Sequence, residues 1–489
     1  MSIWRRKPLQ TLLAEATESE KSLKRTLTAW SLVALGIGAI IGAGLFVRTA
    51  TAAANNAGPS VTIGFIVAAI GCALAGLCYA ELSSSIPISG SAYTYTYATM
   101  GEFLAWIIGW DLILEYAVGA ATVGIAWSEY LNNLLVSVLH TDPIPYALSH
   151  SPFQVSATGE HGLINLPALF IVAIISLLLI KGTQESAFVN GLIVIVKVAI
   201  VILIIVIGWQ FINPVNHEHY IPAPATYVDD AGVDHSFGGI AGILGAAGTV
   251  FFAFIGFDAV STAAQETKNP KKDMPIGILG SLAICTVLYI LFAHVLTGVA
   301  TVEDFRTTGK EASVAFAINK YMAGYGWLGN FVTIAILAGF SSVILVMLLG
   351  QSRVFYAMGK DGLLPSFFSH LHPKFQTPYK ANLVILVIVG LFAAFIPGDI
   401  VGDMTSIGTL FAFILVCISV IVLRKTEPNM VREFKTPLVP LVPLLGVAVC
   451  LAMIYGLGWL NWLRLIGWMA IGVIIYFAYG SRNSVLGKK

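Results

Sequence analysis

The sequence predicts an all-α integral membrane protein with about twelve transmembrane helices. Of its 489 residues, 57% are hydrophobic and only 11% are charged, a balance outside the range of soluble globular chains. Apolar stretches long enough to cross the hydrocarbon, roughly 20 residues each as a helix, recur from Trp30 nearly to the C-terminus with short connections between them. The cationic residues gather in alternate connections, as they do when one membrane face retains them.

Taken in order, the spans fall at residues 30–47, 61–79, 104–134, 163–180, 192–207 and 240–260, then 276–299, 327–349, 382–396, 405–423, 438–455 and 459–479. The charges test this count independently. With the N-terminus inside, all but six of the 27 lysines and arginines lie on the cytoplasmic side. The exceptions are Arg48, Arg306, Lys310, Lys320 and Arg464 outside and Lys197 within a span. A miscount of one helix would scramble that segregation. Residues 1–28 mix both charge signs and have no apolar core, so they read as a cytosolic tail rather than a signal peptide. Residues 29–425 hold the first ten helices, 426–480 two more and 481–489 a second cytoplasmic tail.

Two spans look broken. The first contains Gly36, Gly38, Gly42 and Gly44 in close succession, and the sixth runs from Gly248 to Gly256 and Asp258. In hydrocarbon every backbone amide must be paired, so an interrupted helix is tolerated where it lines a cavity or a polar ligand. The two interruptions sit five helices apart, as a five-plus-five inverted repeat with its site at mid-membrane would require. Unwound glycines and half-helix N-termini suit a carboxylate, and freed carbonyls suit an ammonium. Glycines at four-residue spacing also allow close helix packing, so both readings stand at this point.

Charges inside spans are costly, about 2.5–3.5 kcal/mol each at the bilayer centre on insertion scales, and point to function. Lys197 interrupts the apolar run of span 5 too centrally to snorkel. Burial disfavours the charged form of an amine, which suits a proton carrier; the alternative is a permanent ammonium paired with a carboxylate or carbonyl of another helix. Asp111 and Glu115 lie four apart on one face of span 3, so both look into the bundle. Glu115 is a candidate for gating, substrate contact or structural pairing, and Asp258 and Glu81 for transport or for holding loops. His217-Glu218-His219-Tyr220 reads as solvated loop rather than a metal site, and His294 as hydrogen-bonded to a neighbouring helix. The five cysteines fall in apolar spans with no disulfide or zinc spacing. No zinc-protease, phosphate-loop or serine-hydrolase pattern occurs, so the chain is not expected to be an enzyme or to carry a cofactor or metal. The net charge of +1 argues against a nucleic-acid partner.

The motifs at 36–46, 79–93, 252–258, 266–275, Gly359-Lys360-Asp361-Gly362-Leu363-Leu364-Pro365 and 432–437 form an ordered set across nearly the whole chain. On them the chain resembles the amino acid–polyamine–organocation superfamily, and within it permeases similar to the cationic amino acid transporter family. The resemblance implies a five-plus-five inverted-repeat core, like that of the sodium-coupled amine and amino acid transporters, plus two peripheral helices. It implies that amides of Gly42, Ala43 and Gly44, beside Ile41, hold a substrate carboxylate. Carbonyls around Ile40, Phe252, Ala253 and Ile255 would hold the amino group, with Phe252 covering the substrate from outside. Lys197 matches the lysine that, in proton-coupled relatives, replaces a bound sodium. Ser341 and Ser342 of the eighth helix would shape the far end of the pocket, where no acid is evident.

The expectation is therefore a secondary transporter for L-amino acids in the plasma membrane, with both termini cytoplasmic. Its partners would be the amino acid, a proton as coupling ion and membrane lipid, and its substrate cationic or neutral and branched-chain. Exchange without net proton flux is the nearest rival. A nutrient sensor is disfavoured by the short tails, and a channel by the lack of a continuous polar stripe.

Overall fold

Arg5 Nη1 donates to the Leu486 carbonyl at 2.8 Å, so both ends of the chain lie on one face and the number of membrane crossings between them is even. The structure is a computed structural model that describes residues 4–12, 14, 27–88, 90–156, 158–181, 186–228, 234–307, 313–375 and 377–488. Among the described residues, eight helical runs are long and apolar enough to cross a membrane, and four shorter apolar helices accompany them. One long run, Gly44–Ser85, contains all of span 2 and the half of span 1 away from the termini's face, here its outer half, and Ala29–Ile40 is the half beside the termini, here its inner half. The count is thus twelve spans, in an all-α membrane protein.

Span 1 is Ala29–Ile40 followed, after a break, by Gly44–Arg48, Thr49–Ala52 and Ala53–Ala57. Span 2 is Val61–Ser85, and span 3 runs from Glu102–Leu112 through a π-helical turn, Ile113–Val118, into Gly119–Ser137. Spans 4 and 5 are Leu166–Lys181 and Ser186–Gly208. Span 6 is Gly239–Phe251 plus Phe252–Phe254, then, after a second break, Asp258–Glu266. Spans 7 to 10 are Pro270–Val299, Gly326–Lys360, Tyr379–Phe395 and Gly398–Thr426, and spans 11 and 12 are Leu441–Gly456 and Trp459–Ile475.

Every expected span is present, but several helices overrun the expected limits. Span 7 begins at Pro270, taking in Lys271, Lys272 and Asp273, and span 8 runs on to Lys360. Hydropathy marks where hydrocarbon ends, whereas the backbone hydrogen-bond ladder continues into water without penalty. Outside the spans, Ser91–Thr99 forms a buried helix on the face that carries the termini. The opposite face carries a hairpin of β1, Ala225–Val228, and β2, Asp234–Phe237, with the short helices Val302–Thr307 and Ser313–Tyr321.

The spans pack in two groups. Span 7 lies along spans 1 and 2, and the outer half of span 6 along span 2; span 8 lies along span 3, and span 4 against spans 3 and 9. Span 5 touches both groups, through the inner half of span 1 and through span 8. Ring contacts seal the interior, among them Phe46 with Phe292 and Phe340, and Phe254 with Phe65 and Tyr289. Large apolar side chains such as Ile195, Val287, Val387 and Ile474 point outward along the spans, which in this chain is toward lipid.

The termini's face is fastened by buried charge. Glu81, fully buried at the end of span 2, accepts from Arg424 Nε (3.0 Å) and Nη2 (2.8 Å) and from the Thr436 amide (2.7 Å), with Arg432 3.3 Å away. It therefore holds the connection between spans 10 and 11, the loop-holding role that its position allowed. Lys7 and the Tyr93 hydroxyl both donate to Asp361 at 2.7 Å, which ties the N-terminal tail to the end of span 8.

Candidate functional site

The break in span 1 leaves carbonyls without their helical donors. The helix ends with the Ile41 amide bonded to the Ile37 carbonyl, and the next half starts with the Leu45 and Phe46 amides turned back onto the Gly42 carbonyl. In an unbroken helix the Gly38 carbonyl would take the Gly42 amide, and the Ile41 carbonyl the Leu45 amide. Lys197 Nζ replaces both donors, reaching the Gly38 and Ile41 carbonyls at 2.9 Å each. The expected buried charge in span 5 is thus paired with carbonyls of another helix, at the point where that helix unwinds. Gly339 of span 8 leaves room for its stem: a Cβ there would fall 2.7 Å from Lys197 Cε. The amides of Gly42, Ala43 and Gly44 lie at the N-terminal end of the outer half, which opens at Gly44 and where N–H groups have no acceptor within the helix.

The break in span 6 meets the break in span 1 directly. A Cβ on Gly44 would lie 2.2 Å from Ala253 Cα, so only glycine allows the two backbones to touch. Gly256 returns the contact: its φ of +108° requires glycine, and a Cβ there would lie 2.9 Å from the Ala39 side chain. Tyr289 of span 7 spans the junction, its hydroxyl 2.9 Å from both the Ile40 and the Ala253 carbonyls. One hydroxyl proton serves one of the two at a time, so each carbonyl keeps capacity for a further donor. The Phe252 carbonyl accepts the Ile255 amide at 3.3 Å. Sequence reasoning missed Tyr289, because a tyrosine in an apolar helix reads as packing.

All of Ile40, Ile41, Gly42, Ala43, Gly44, Phe252, Ala253 and Ile255 are buried, so the junction is closed to solvent. Ser341 of span 8 bonds back to the Leu337 carbonyl at 3.0 Å, and Ser342 is buried beside it. Val343 faces the break, its Cγ2 2.9 Å from where a Gly42 Cβ would be, and Phe340 packs on Phe46 and Tyr130.

Two unwound segments thus meet inside a closed bundle of spans. The family model for amino acid permeases matches residues 27–462. The chain belongs to the amino acid permease family. Similar proteins include the branched-chain amino acid permease BcaP of Bacillus subtilis, 44% identical over 100% of this chain and 99% of that protein, and the methylthioribose transporter of the same organism, 41% identical over the full length of both. The vacuolar cationic amino acid transporter 4 of Arabidopsis thaliana is 33% identical over 88% of this chain and 68% of its own length. The permease is accordingly a membrane transporter and not an enzyme.

The permease brings Glu115 and Asp258 together. Glu115 sits in the π turn of span 3 and Asp258 opens the inner half of span 6; both are fully buried and close enough for their charges to interact. Tyr116 donates to Asp258 Oδ2. Glu115 and Asp258 meet carboxyl to carboxyl, whereas neither oxygen of Asp111 has a hydrogen-bond partner among the described residues. Asp258 thus links span 6 to span 3 through Tyr116.

Two further clusters were not legible in the sequence. Arg48, in the outer half of span 1, pairs with Asp403 of span 10, which also accepts from Asn461 Nδ2 of span 12 at 3.3 Å; Arg464 donates to Asn461 at 2.7 Å. His217 is not in a free solvated loop: its ring lies 4.6 Å from that of His294, and its Nε2 is 3.2 Å from Thr297 Oγ1. His294 in turn contacts the Tyr220 hydroxyl at 3.3 Å, a partner in the connection after span 5 and not on a neighbouring helix. Among the described residues, no group of three or more histidine, cysteine or acidic side chains could hold a metal ion.

Proposed function

We propose that the permease takes up neutral, aliphatic L-amino acids across the plasma membrane, driven by protons, with both termini in the cytoplasm. The observation that carries this reading is Lys197 held on the Gly38 and Ile41 carbonyls at the break in span 1, the same break whose far side, at Gly44, packs on Ala253 of span 6. The substrate carboxylate takes the amides of Gly42, Ala43 and Gly44 at a half-helix N-terminus, and its ammonium takes carbonyls of Ile40, Phe252, Ala253 and Ile255. Residues 29–425 act as the inverted-repeat core and 426–480 as peripheral helices.

Side-chain preference follows from what surrounds the junction. Ile40, Ile41, Phe252, Ile255 and Val343 are apolar and buried. Glu115 faces Asp258 and Tyr116, so the reading assigns it to coupling between spans 3 and 6 and not to a cationic side chain. A buried apolar pocket favours a branched hydrocarbon over a charge that would lose its water.

Coupling follows from the same geometry. Charge-assisted hydrogen bonds are about twice as strong as neutral ones, so a change in the charge of Lys197 alters how firmly the two halves of span 1 are held. The groups formed by spans 1, 2, 6 and 7 and by spans 3, 4, 8 and 9 then rock against each other. Arg48–Asp403 joins span 1 to span 10 on the outer side and opens when the outer path opens. Radiolabelled uptake into liposomes, screened over the twenty amino acids and methylthioribose with a proton gradient imposed or collapsed, tests the reading. Saturable, gradient-dependent uptake of leucine, isoleucine or valine is expected. Gradient-independent counterflow would make the permease an exchanger, binding without flux a sensor, and preference for methylthioribose would overturn the amino acid site.

A further inference from the structure

Away from the transport site, an open groove of about 520 Å³ lies on the face of the termini, where the start of span 7 meets the connection between spans 10 and 11. One side of it is polar, with Lys271, Lys272 and Glu433; the other is apolar, with Pro275, Ile276, Leu279 and Phe434. Its two sides differ in what they lead to. Ile276 is 53% exposed, and Ile284, Val287 and Leu291 continue the same exposed face down span 7, so the apolar side opens onto the lipid-facing stripe of the helix. The polar side sits at the helix N-terminus, above the hydrocarbon.

The backbone at the polar side is also incompletely satisfied. Asn269 provides no side-chain cap to span 7, and the amide of Lys271 lies in the uncapped first turn. Pro275 has no N–H, so the Lys271 carbonyl lacks its helical donor. Two ammonium groups outnumber Glu433 in the lining, and Lys268 and Lys435 are exposed beside it. Asp273, in the same first turn, points back to the Asn269 amide at 3.3 Å.

We propose that this groove binds an anionic glycerophospholipid of the adjoining leaflet. Its phosphate lies against the Lys271 and Lys272 ammonium groups and the Lys271 amide, and one acyl chain passes Ile276 and Leu279 under Phe434 and follows the exposed stripe of span 7. A soluble anion would use the lysines but not the apolar wall, and a neutral lipid would use the wall but not the lysines. The charge of the polar side and the continuity of the apolar side with the lipid face together select a ligand that has both.

The test uses the purified full-length permease in a neutral detergent. Phosphatidylglycerol and phosphatidylcholine of matched acyl chains are titrated in, with retention read by native mass spectrometry and protection by thermal shift. The parent is expected to retain and be stabilised by phosphatidylglycerol well above phosphatidylcholine. K271Q/K272Q lowers that retention on the order of tenfold or more, Phe434→Ala lowers it without changing charge, and K374Q/K380Q, on the same face but outside the groove, leaves it intact. Equal retention by K271Q/K272Q and the parent overturns the proposal, as does protection by inorganic phosphate alone that matches phosphatidylglycerol.

Discussion

Lys197 reaches the break in span 1 from span 5 and meets two carbonyls that unwinding has freed; Glu115 reaches toward the break in span 6 from span 3 and meets another carboxyl. Both side chains are buried. The lysine donates to both carbonyls it meets, whereas Glu115 faces a carboxyl that can donate only when protonated and neither oxygen of Asp111 has a partner among the described residues. The contrast separates two uses of a polar group in a membrane. A satisfied one holds a conformation that a change in its own charge would loosen, and an unsatisfied one marks a place where a water or a rearranged partner is needed in some part of the cycle.

Breaking the satisfied side should have the largest effect. Gly44→Val drives a side chain into the Ala253 backbone and should abolish amino-acid-induced thermal stabilisation while the protein still inserts; normal binding by that variant would remove the junction from the site. Lys197→Ala leaves two carbonyls bare and a void against Gly339, and should lower stability by about 2–5 kcal/mol, read by denaturation in detergent. Tyr289→Phe removes one donor shared by two carbonyls; a loss of about 0.5–1.5 kcal/mol in substrate affinity, measured by titration, is expected.

The unsatisfied side should respond differently. Glu115→Gln replaces a carboxyl that faces another carboxyl with an amide that supplies two N–H donors, so stability should stay within about 1 kcal/mol of the parent or rise while transport rate falls. A stability loss as large as that of Lys197→Ala would show that Glu115 has partners of equal worth.

Asp304, outside the spans, supplies a third point of comparison: a carboxyl with partners. Burial would raise its pKa, but hydrogen bonds from Lys320 (2.5 Å), Thr301 (2.6 Å) and Tyr321 (2.5 Å) outweigh it and hold the carboxyl well below the usual range. A depressed carboxyl stabilises the fold above its unfolded pKa, near 4, and loses that contribution as pH falls through the folded value. Asp304→Asn should therefore lower the melting temperature slightly at pH 7, with the difference shrinking in strong acid.

Much of this was readable in advance because lipid is an exacting solvent. Twelve apolar runs, glycine-interrupted spans 1 and 6, and a lone lysine in span 5 are each costly unless they have a reason, so each announces itself in one dimension. What stayed hidden were partnerships. Arg48 read as a charge at a helix end because Asp403 is far away in sequence, and Tyr289 looked like any aromatic in a span. The overrun of spans 7 and 8 past the hydrocarbon was equally invisible to hydropathy, and it is the overrun of span 7 that places Lys271 and Lys272 beside Phe434.

The most direct test of the account compares the parent and Lys197→Ala in liposomes loaded with unlabelled substrate or with buffer, with and without an inward proton gradient. The account predicts that the variant loses gradient-driven accumulation but keeps part of its exchange. Accumulation by Lys197→Ala equal to the parent's would contradict it and place the coupling group elsewhere.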